Sequence, residues 1–241
     1  MQLAKLAPDT LTTLKQVSTA TITMQLLKRG FRSGAINGVQ PLSPMKERLV
    51  GEAYTLRYIP MREDLSQAPK AGEGVSPARR AIEEVPAGQV LVIDSHGNRS
   101  VGVLGDILAM RLKQRGVAGV VADGMMRDTE PMISVGLPVL CAGRAAPASM
   151  TGLIAADVQV PIGCGGTAVF PGDLIVADAD GAVVVPRHLA DQLARDGLEQ
   201  ERMERFVFRQ VRNGQSTLGL YPPDEASREA YRRWVEAGEP E

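Results

Sequence analysis

Asp106, Arg127 and Asp128 are the residues whose types and spacing suit chemistry on a small organic anion. Asp106 follows two glycines in "VGVLGDILA" (101–109), where a short apolar run turns into a helical pattern. Gly102 and Gly105 let the backbone turn closely, and the amides of Gly105, Asp106, Ile107 and Leu108 then fall at a helix N-terminus. Unpaired amides and the helix dipole favour an anion there, a carboxylate as readily as a phosphate. The segment lacks the Gly-Lys-Ser/Thr ending of a phosphate loop and the third glycine of a dinucleotide fingerprint. Asp106 also stands where a capping aspartate belongs, so a purely structural role is open to it. Arg127 can fork onto a carboxylate or polarise a ketone oxygen, and Asp128 can bind a hard cation while Asp106 holds one of its waters. A surface ion pair between Arg127 and Asp128 accounts for the same two residues.

The elements that would position these groups are legible as periodic segments. "GQVLVIDSHG" (88–97) reads as a strand and turn, "SVGVLGDILAMRLKQRG" (100–116) as a glycine loop and a helix with Ile107, Leu108 and Leu112 on its apolar side, and "VAGVVADG" (117–124) as a buried strand ending in an Asp-Gly turn. Residues 125–143 supply a short helix and a third strand. This alternation predicts an α/β protein with a parallel or mixed sheet, whose ligand sites gather at the carboxyl ends of strands. Upstream, residues 1–30 read as helical, opening a turn at Ser18 or Thr19, with Met24, Leu26 and Leu27 as an apolar face and Gly30 as terminator. "LVGEAYTLRYIP" (49–60) reads as a strand, residues 61–86 as a polar stretch holding the short helix "SPARRAIEEVP". Residues 158–187 read as antiparallel strands with turns at Pro171-Gly172-Asp173 and Asp180-Gly181. A long helix is expected over 188–212 and a charged tail, solvated or clasping another subunit, over 222–241; no boundary falls inside 1–221.

Composition excludes several classes. The 241 residues are 44% apolar, enough for a substantial core. A net charge of −1 carries no nucleic-acid footprint, and 4% aromatic residues, with Trp234 the only tryptophan, offer no base-stacking platform. Cys141 and Cys164 form no CxxC pair and read as small buried apolar residues. No apolar run reaches the roughly 20 residues of a bilayer span, and the N-terminus has no signal pattern. No membrane role and a cytoplasmic location are the expectations.

Asp106, twenty intervening residues and then Arg127-Asp128 resembles the signature of the class II pyruvate aldolases typified by 4-hydroxy-4-methyl-2-oxoglutarate aldolase, which share a fold with the regulator of ribonuclease activity A. "GEAYT" (51–55), "VGVLGDILA", "GVVADGMMRD" (119–128), "VFPGDLIVADADGAVVVPR" (169–187) and "QERMER" (200–205) resemble family blocks in family order, across roughly residues 15–220. The resemblance implies a swivelling β/β/α sandwich of the phosphohistidine-domain kind, followed here by a helical tail. It implies a homotrimer or hexamer with sites between subunits. It also implies Asp128 as direct ligand of a divalent metal (Mg²⁺ or Mn²⁺), Asp106 as a water-mediated one and catalytic with Arg127, and amides 105–108 around the pyruvyl carboxylate. A glutamate from a neighbouring subunit's late helix corresponds to Glu201, with Glu204 in reserve. The implied activity is cleavage of 4-hydroxy-2-oxo acids to pyruvate, with oxaloacetate decarboxylation.

Stabilising a pyruvate enolate takes a divalent cation with an arginine, or a Schiff-base lysine. Lysines are few, and Lys113 falls on a helix flank. Two rival readings are a non-catalytic regulator that binds an RNA-degrading enzyme and a sugar-acid lyase or dehydratase on the same scaffold. Retention of Arg127-Asp128 separates the enzyme from the regulator. The chain departs from many relatives in having "TITMQLL" where they carry an acidic residue late in the first helix. His96 is either a solvated turn residue or a group close to the glycine loop. His188 reads as the start of the late helix, and Arg144, Asp178 and Asp180 read as turn and strand-end polar groups.

Overall fold

The computed structural model describes residues 5–64 and 75–240; residues 1–4 of the expected N-terminal helical segment and 65–74 of the polar stretch lie outside them. The parallel half of the sheet is built from β3 (Leu49–Pro60), β4 (Val90–Asp94), β6 (Gly119–Met126) and β7 (Val139–Arg144), hydrogen-bonded in that order. Its edges are antiparallel: β2 (Gln40–Pro41) on β7 and β8 (Leu153–Val158) on the second half of β3. β5 (Gly102–Leu104) adds to the far end of β6. The first half of β3 instead pairs antiparallel with β11 (Leu174–Asp178), which continues to β12 (Gly181–Val185) and β1 (Ala35–Ile36). β9 (Ile162–Cys164) and β10 (Thr167–Val169) form a separate hairpin.

The near-continuous apolar runs follow from burial on both faces. In β4, Leu91 and Ile93 face a core closed by α3 (Pro77–Glu84), α4 (Asp106–Gln114) and α5 (Thr129–Val135), while Val90 and Val92 face the antiparallel strands. In β11, Ile175 and Ala177 meet that middle layer, while Leu174 and Val176 meet α1 (Thr10–Leu14), α2 (Thr19–Lys28) and α6 (Ala190–Arg212). One mixed sheet, with helices packed against both its parallel and its antiparallel half, gives a mixed α/β fold. Among the described residues no helix is long and apolar enough to cross a membrane.

Several local expectations need correction. Of the expected apolar side of α4, Leu112 is buried and Leu108 packs partly buried against the same core, joined by Ala109, whereas Ile107 is 78% exposed. On α2 the buried residues are Thr19, Thr21, Ile22, Gln25 and Leu26, and Met24 and Leu27 face outward. Asp123-Gly124 is no turn: β6 runs through it to Met126, with a register irregularity between Ala122 and Met125. The charged tail holds α7 (Glu225–Glu236), which is docked rather than solvated. Its Tyr231 and Trp234 pack with Phe206 of α6 in a small cluster of their own, ring centroids 5.8 and 5.6 Å from Phe206.

Because that cluster is a satellite of the main core, α7 should open locally. Truncating a buried Trp to Ala costs about 3–5 kcal/mol, a large sum for one short helix. Trp234→Ala is therefore expected to remove hydrogen-exchange protection from 225–236 and leave β4 and β6 protected; loss of protection throughout would make α7 part of the global folding unit. A second expectation concerns Glu201, whose Oε1 accepts from the amide of Ser18 at 2.8 Å just ahead of α2. Burial pushes its carboxyl up, but hydrogen bonds from Ser18 and Thr21 and the charge of Arg48 hold it below the ordinary range. A depressed carboxyl stabilises the fold above its unfolded value and loses that contribution as pH falls through the folded one. The gap in urea midpoint between wild type and Glu201→Gln should thus be full at neutral pH and shrink in acid. A gap that stays constant into acid contradicts it.

Candidate active site

The site is assembled where β6 ends. β5 pairs with β6 in parallel, Gly102 opposite Met125 and Leu104 opposite Met126, and the Arg127 amide donates to the Leu104 carbonyl at 3.0 Å. This approach depends on glycine: a Cβ on Gly102 would lie 2.8 Å from the Arg127 Cβ. A Cβ on Gly105 would lie 2.9 Å from Oδ2 of Asp128. The start of α4 therefore abuts the Asp128 carboxylate, and residues more than twenty positions apart in sequence share one small edge.

Asp106 is not the helix cap. Gly105 holds that position, and Asp106 is the first residue of α4 with its Oδ1 accepting from the adjacent Ile107 amide at 2.8 Å. Ile107 thus spends its amide locally, while those of Gly105, Asp106 and Leu108 have no protein acceptor among the described residues. An acidic group in the first turn suits the helix dipole, and the second oxygen of Asp106 accepts no hydrogen bond among the described residues.

Asp128 precedes α5 with φ 51° and ψ 42°, the left-handed region, and makes no side-chain cap to that helix. Such a conformation costs a non-glycine residue roughly 1–2 kcal/mol, and Asp tolerates it better than most. Its carboxylate accepts from Arg127 Nε at 3.0 Å, and the two side chains are 42% and 38% exposed. The ion-pair reading is therefore observed, within the same cluster as the glycine loop. With Nε engaged, the two terminal nitrogens of Arg127 remain for another anion.

Oxygen donors of this kind suit a hard divalent cation that keeps most of its water. Among the described residues there is no group of three or more His, Cys, Asp or Glu able to cage an ion. A cation of the Mg²⁺ type needs only one or two protein carboxylates, and Asp128 in its glycine-lined recess with Asp106 nearby fits that requirement. Both thiols are pushed up by burial, Cys164 well above its ordinary value, which removes them as nucleophiles. Lys113 donates to the Val135 carbonyl on the flank of α4.

Other singled-out residues lie elsewhere. Glu201 is engaged with Ser18 of its own chain, and Glu204 accepts from Gln200 Nε2 at 2.9 Å. His96, at φ 55°, lines a cavity of about 310 Å³ with Asn37, Arg99 and Asp123. His188 falls in the turn 187–189 ahead of α6. Asp178 accepts from the amide and hydroxyl of Thr19 at 2.9 and 2.7 Å, which ties β11 to α2, and the Asp180 amide donates to it across the turn.

The residue missed from sequence is Asp123. It is 6% exposed, and its carboxylate accepts from the amides of Ser95, Gly97 and Gly165 at 2.6, 3.2 and 3.1 Å. Asp94, also buried, does the same for His96 and Gly163 at 2.9 and 3.3 Å. One signal was available: the apolar pair Met125-Met126 continues the strand beyond Asp123-Gly124, which a turn does not explain.

The family model described as RraA-like, Aldolase/RraA, matches residues 17–184. A Thermus thermophilus protein named 4-hydroxy-4-methyl-2-oxoglutarate aldolase is 38% identical over 108 residues, 45% of this chain and 65% of that protein. Protein DlpA of Legionella pneumophila is 30% identical over 211 residues, 88% of this chain; the chain spans only 33% of that relative's length. Among solved structures, RraAS2 of Streptomyces coelicolor, described as an unusual member of the RNase ES inhibitor RraA protein family, is 33% identical with a TM-score of 0.75, covering 85% of this chain and 98% of that one. With the model matching well over half of its length, and the glycine loop and Arg127-Asp128 inside the matched span, the chain belongs to the RraA-like, Aldolase/RraA family.

Proposed function

We propose that the chain is a divalent-metal-dependent carbon–carbon lyase that cleaves 4-hydroxy-2-oxo acids of the 4-hydroxy-4-methyl-2-oxoglutarate type to pyruvate, and decarboxylates oxaloacetate. The observation that carries this reading is the close approach of Gly105 to Asp128: a strained carboxylate that caps no helix lies against the glycine that opens α4, beside an arginine whose terminal nitrogens have no partner among the described residues. The aldolase named among its relatives supports the reaction class.

In this proposal the substrate's carboxylate lies against the amides of Gly105, Asp106 and Leu108, joined by Ile107 once Asp106 turns toward a water. Arg127 forks onto the C2 oxygen. Asp128 directly, and Asp106 through a water, would hold a divalent cation such as Mg²⁺ or Mn²⁺, which when bound would supply Lewis-acid stabilisation of negative charge on the substrate. The water on Asp106 takes the C4 hydroxyl proton, the C3–C4 bond breaks and the C4 half leaves as a carbonyl compound, while the electron pair of the broken bond forms C2=C3 and the C2=O pair moves onto oxygen, giving the enolate of pyruvate. A water on Asp106 returns a proton to C3. With oxaloacetate the same bond breaks and CO₂ leaves. Arg127 meets charge that develops in the transition state, where one such donor is worth about 10²–10³-fold in rate.

The proposal includes the swivelling β/β/α arrangement, a cytoplasmic homotrimer or hexamer, and Glu201 reaching the site of a neighbouring copy. The alternative, a regulator that binds an RNA-degrading enzyme, is favoured by the description of the Streptomyces coelicolor relative. Arg127-Asp128, set up with its strained backbone, favours the enzyme.

Pyruvate release from 4-hydroxy-4-methyl-2-oxoglutarate or oxaloacetate, followed with a coupled dehydrogenase, should require Mg²⁺ or Mn²⁺ and stop on addition of chelator; no release from either acid sinks the lyase reading. Asp128→Asn keeps a residue that tolerates the left-handed backbone, so the fold should survive while chelator-sensitive turnover falls by about 10²–10³-fold. Unchanged turnover would remove the metal assignment. Gly105→Ala moves only the exposed end of the Asp128 side chain, so stability should hardly change. A displacement approaching 1 Å there is expected to cost about 10² in kcat/KM. A normal rate in that variant would show that the recess is not used.

A further inference from the structure

Arg144 closes β7, directly after Gly143, whose φ of 148° turns the strand. Its backbone lies opposite Met126 in the β6–β7 ladder, one residue from Arg127. From there the chain crosses the end of β6. The Ala145 amide donates to the Met126 carbonyl at 2.9 Å, the Pro147 carbonyl accepts from Gly102 at 2.8 Å, and Ala148 bridges to Gly102. Residues 144–148 therefore form a collar from β7 to β5 around the strand end that carries Arg127 and Asp128.

The Arg144 side chain is exposed, and no hydrogen bond or ion pair among the described residues engages its guanidinium. Some exposed arginines find acids, Arg111 with Glu83 and Arg232 with Glu225, whereas Arg32, Arg99 and Arg212, like Arg144, have none among the described residues; what sets Arg144 apart is its place on the ladder beside Arg127. Arg127 spends its Nε on Asp128. The collar thus roots a planar, permanently charged fork one ladder position from Arg127, next to a site that already has amides for one carboxylate and a second arginine for the ketone oxygen. A second anionic group on the substrate is the partner this chemistry accepts.

We propose that Arg144 is a specificity determinant that binds the distal carboxylate of a dicarboxylic 2-oxo acid, the carboxylate that departs with the C4 half. The inference rests on the lyase site described above and sharpens its substrate. A distal carboxylate that stays charged through C3–C4 cleavage keeps its grip on Arg144 in the transition state. In oxaloacetate the carboxylate held there would itself become neutral CO₂, so the same contact stabilises the ground state and opposes decarboxylation. Arg144 therefore favours aldol cleavage of acids of five or more carbons over loss of CO₂ from the four-carbon acid.

The test is binding, measured calorimetrically with Mg²⁺ present, of 2-oxoglutarate and 2-oxopentanoate, which share chain length and differ in the distal carboxylate. Arg144→Gln is expected to weaken 2-oxoglutarate by about tenfold or more, and by at least fivefold more than 2-oxopentanoate. Arg144→Lys, which keeps the charge but not the fork, should fall between. Equal weakening of both acids, or no weakening, overturns the assignment while leaving the lyase reading intact. Wild-type protein that binds neither acid defeats both. Melting temperatures of the variants should stay close to wild type, since the side chain is exposed and has no hydrogen bond or ion pair among the described residues.

Discussion

β6 changes partners halfway along its length, and the candidate site exists because it does. Its first half pairs with β4, Gly119–Ala122 against Val90–Ile93, and its end pairs with β5. At the changeover Asp123 turns a buried carboxylate onto three amides from two other segments, and Gly124 lies so close to Ser95 that a Cβ would sit 2.3 Å from its hydroxyl oxygen. A buried charge without partners would be costly; here charge-assisted bonds to Ser95, Gly97 and Gly165 offset desolvation and pin the loop after β4 and the β9–β10 hairpin to β6. Releasing β4 at that point leaves the end of β6 open to β5, and β5 delivers the glycine loop.

Once β5 is in register, little freedom remains at the site. Gly102 abuts Arg127, Gly105 abuts Asp128, and the collar from Arg144 to Ala148 closes the opposite side. The left-handed backbone of Asp128 is tolerated because α5 starts immediately after it, with the Met132 amide on the Asp128 carbonyl. Local strain is thus held by regular structure on both sides, the usual condition for keeping a functional side chain in an unfavourable conformation.

The rest of the molecule divides its labour by layer. Alternate residues of β4, β6, β11 and β12 serve different cores, so the central strands tolerate little polarity away from their ends. The C-terminal region sits apart. α7 rests on α6 through a separate cluster of five buried side chains, of which Tyr231 and Trp234 are its own, and lies outside the span matched by the family model.

Local pattern alone determined the helices and strands that matter: β3, β4 and the β5–α4 junction fall where periodicity places them, because two-faced apolar runs and glycine stops act within a few residues. It also marked Asp106, Arg127 and Asp128, whose spacing is a property of the chain. What it could not determine was which reading of each residue holds. Asp106 looked like a cap and is not, because the backbone of Gly105 takes that position. Asp123-Gly124 looked like a turn and is a strand interior, because its carboxylate finds amides 26, 28 and 42 residues away. Met24, Leu27 and Ile107 looked like core and face outward, because which side of a helix is buried depends on what packs against it. Arg144, one polar group among many in the sequence, becomes a neighbour of Arg127 only through the β6–β7 register. Short-range geometry is written in the order of the residues; the meeting of distant groups is decided by strand pairing, which only the folded chain contains.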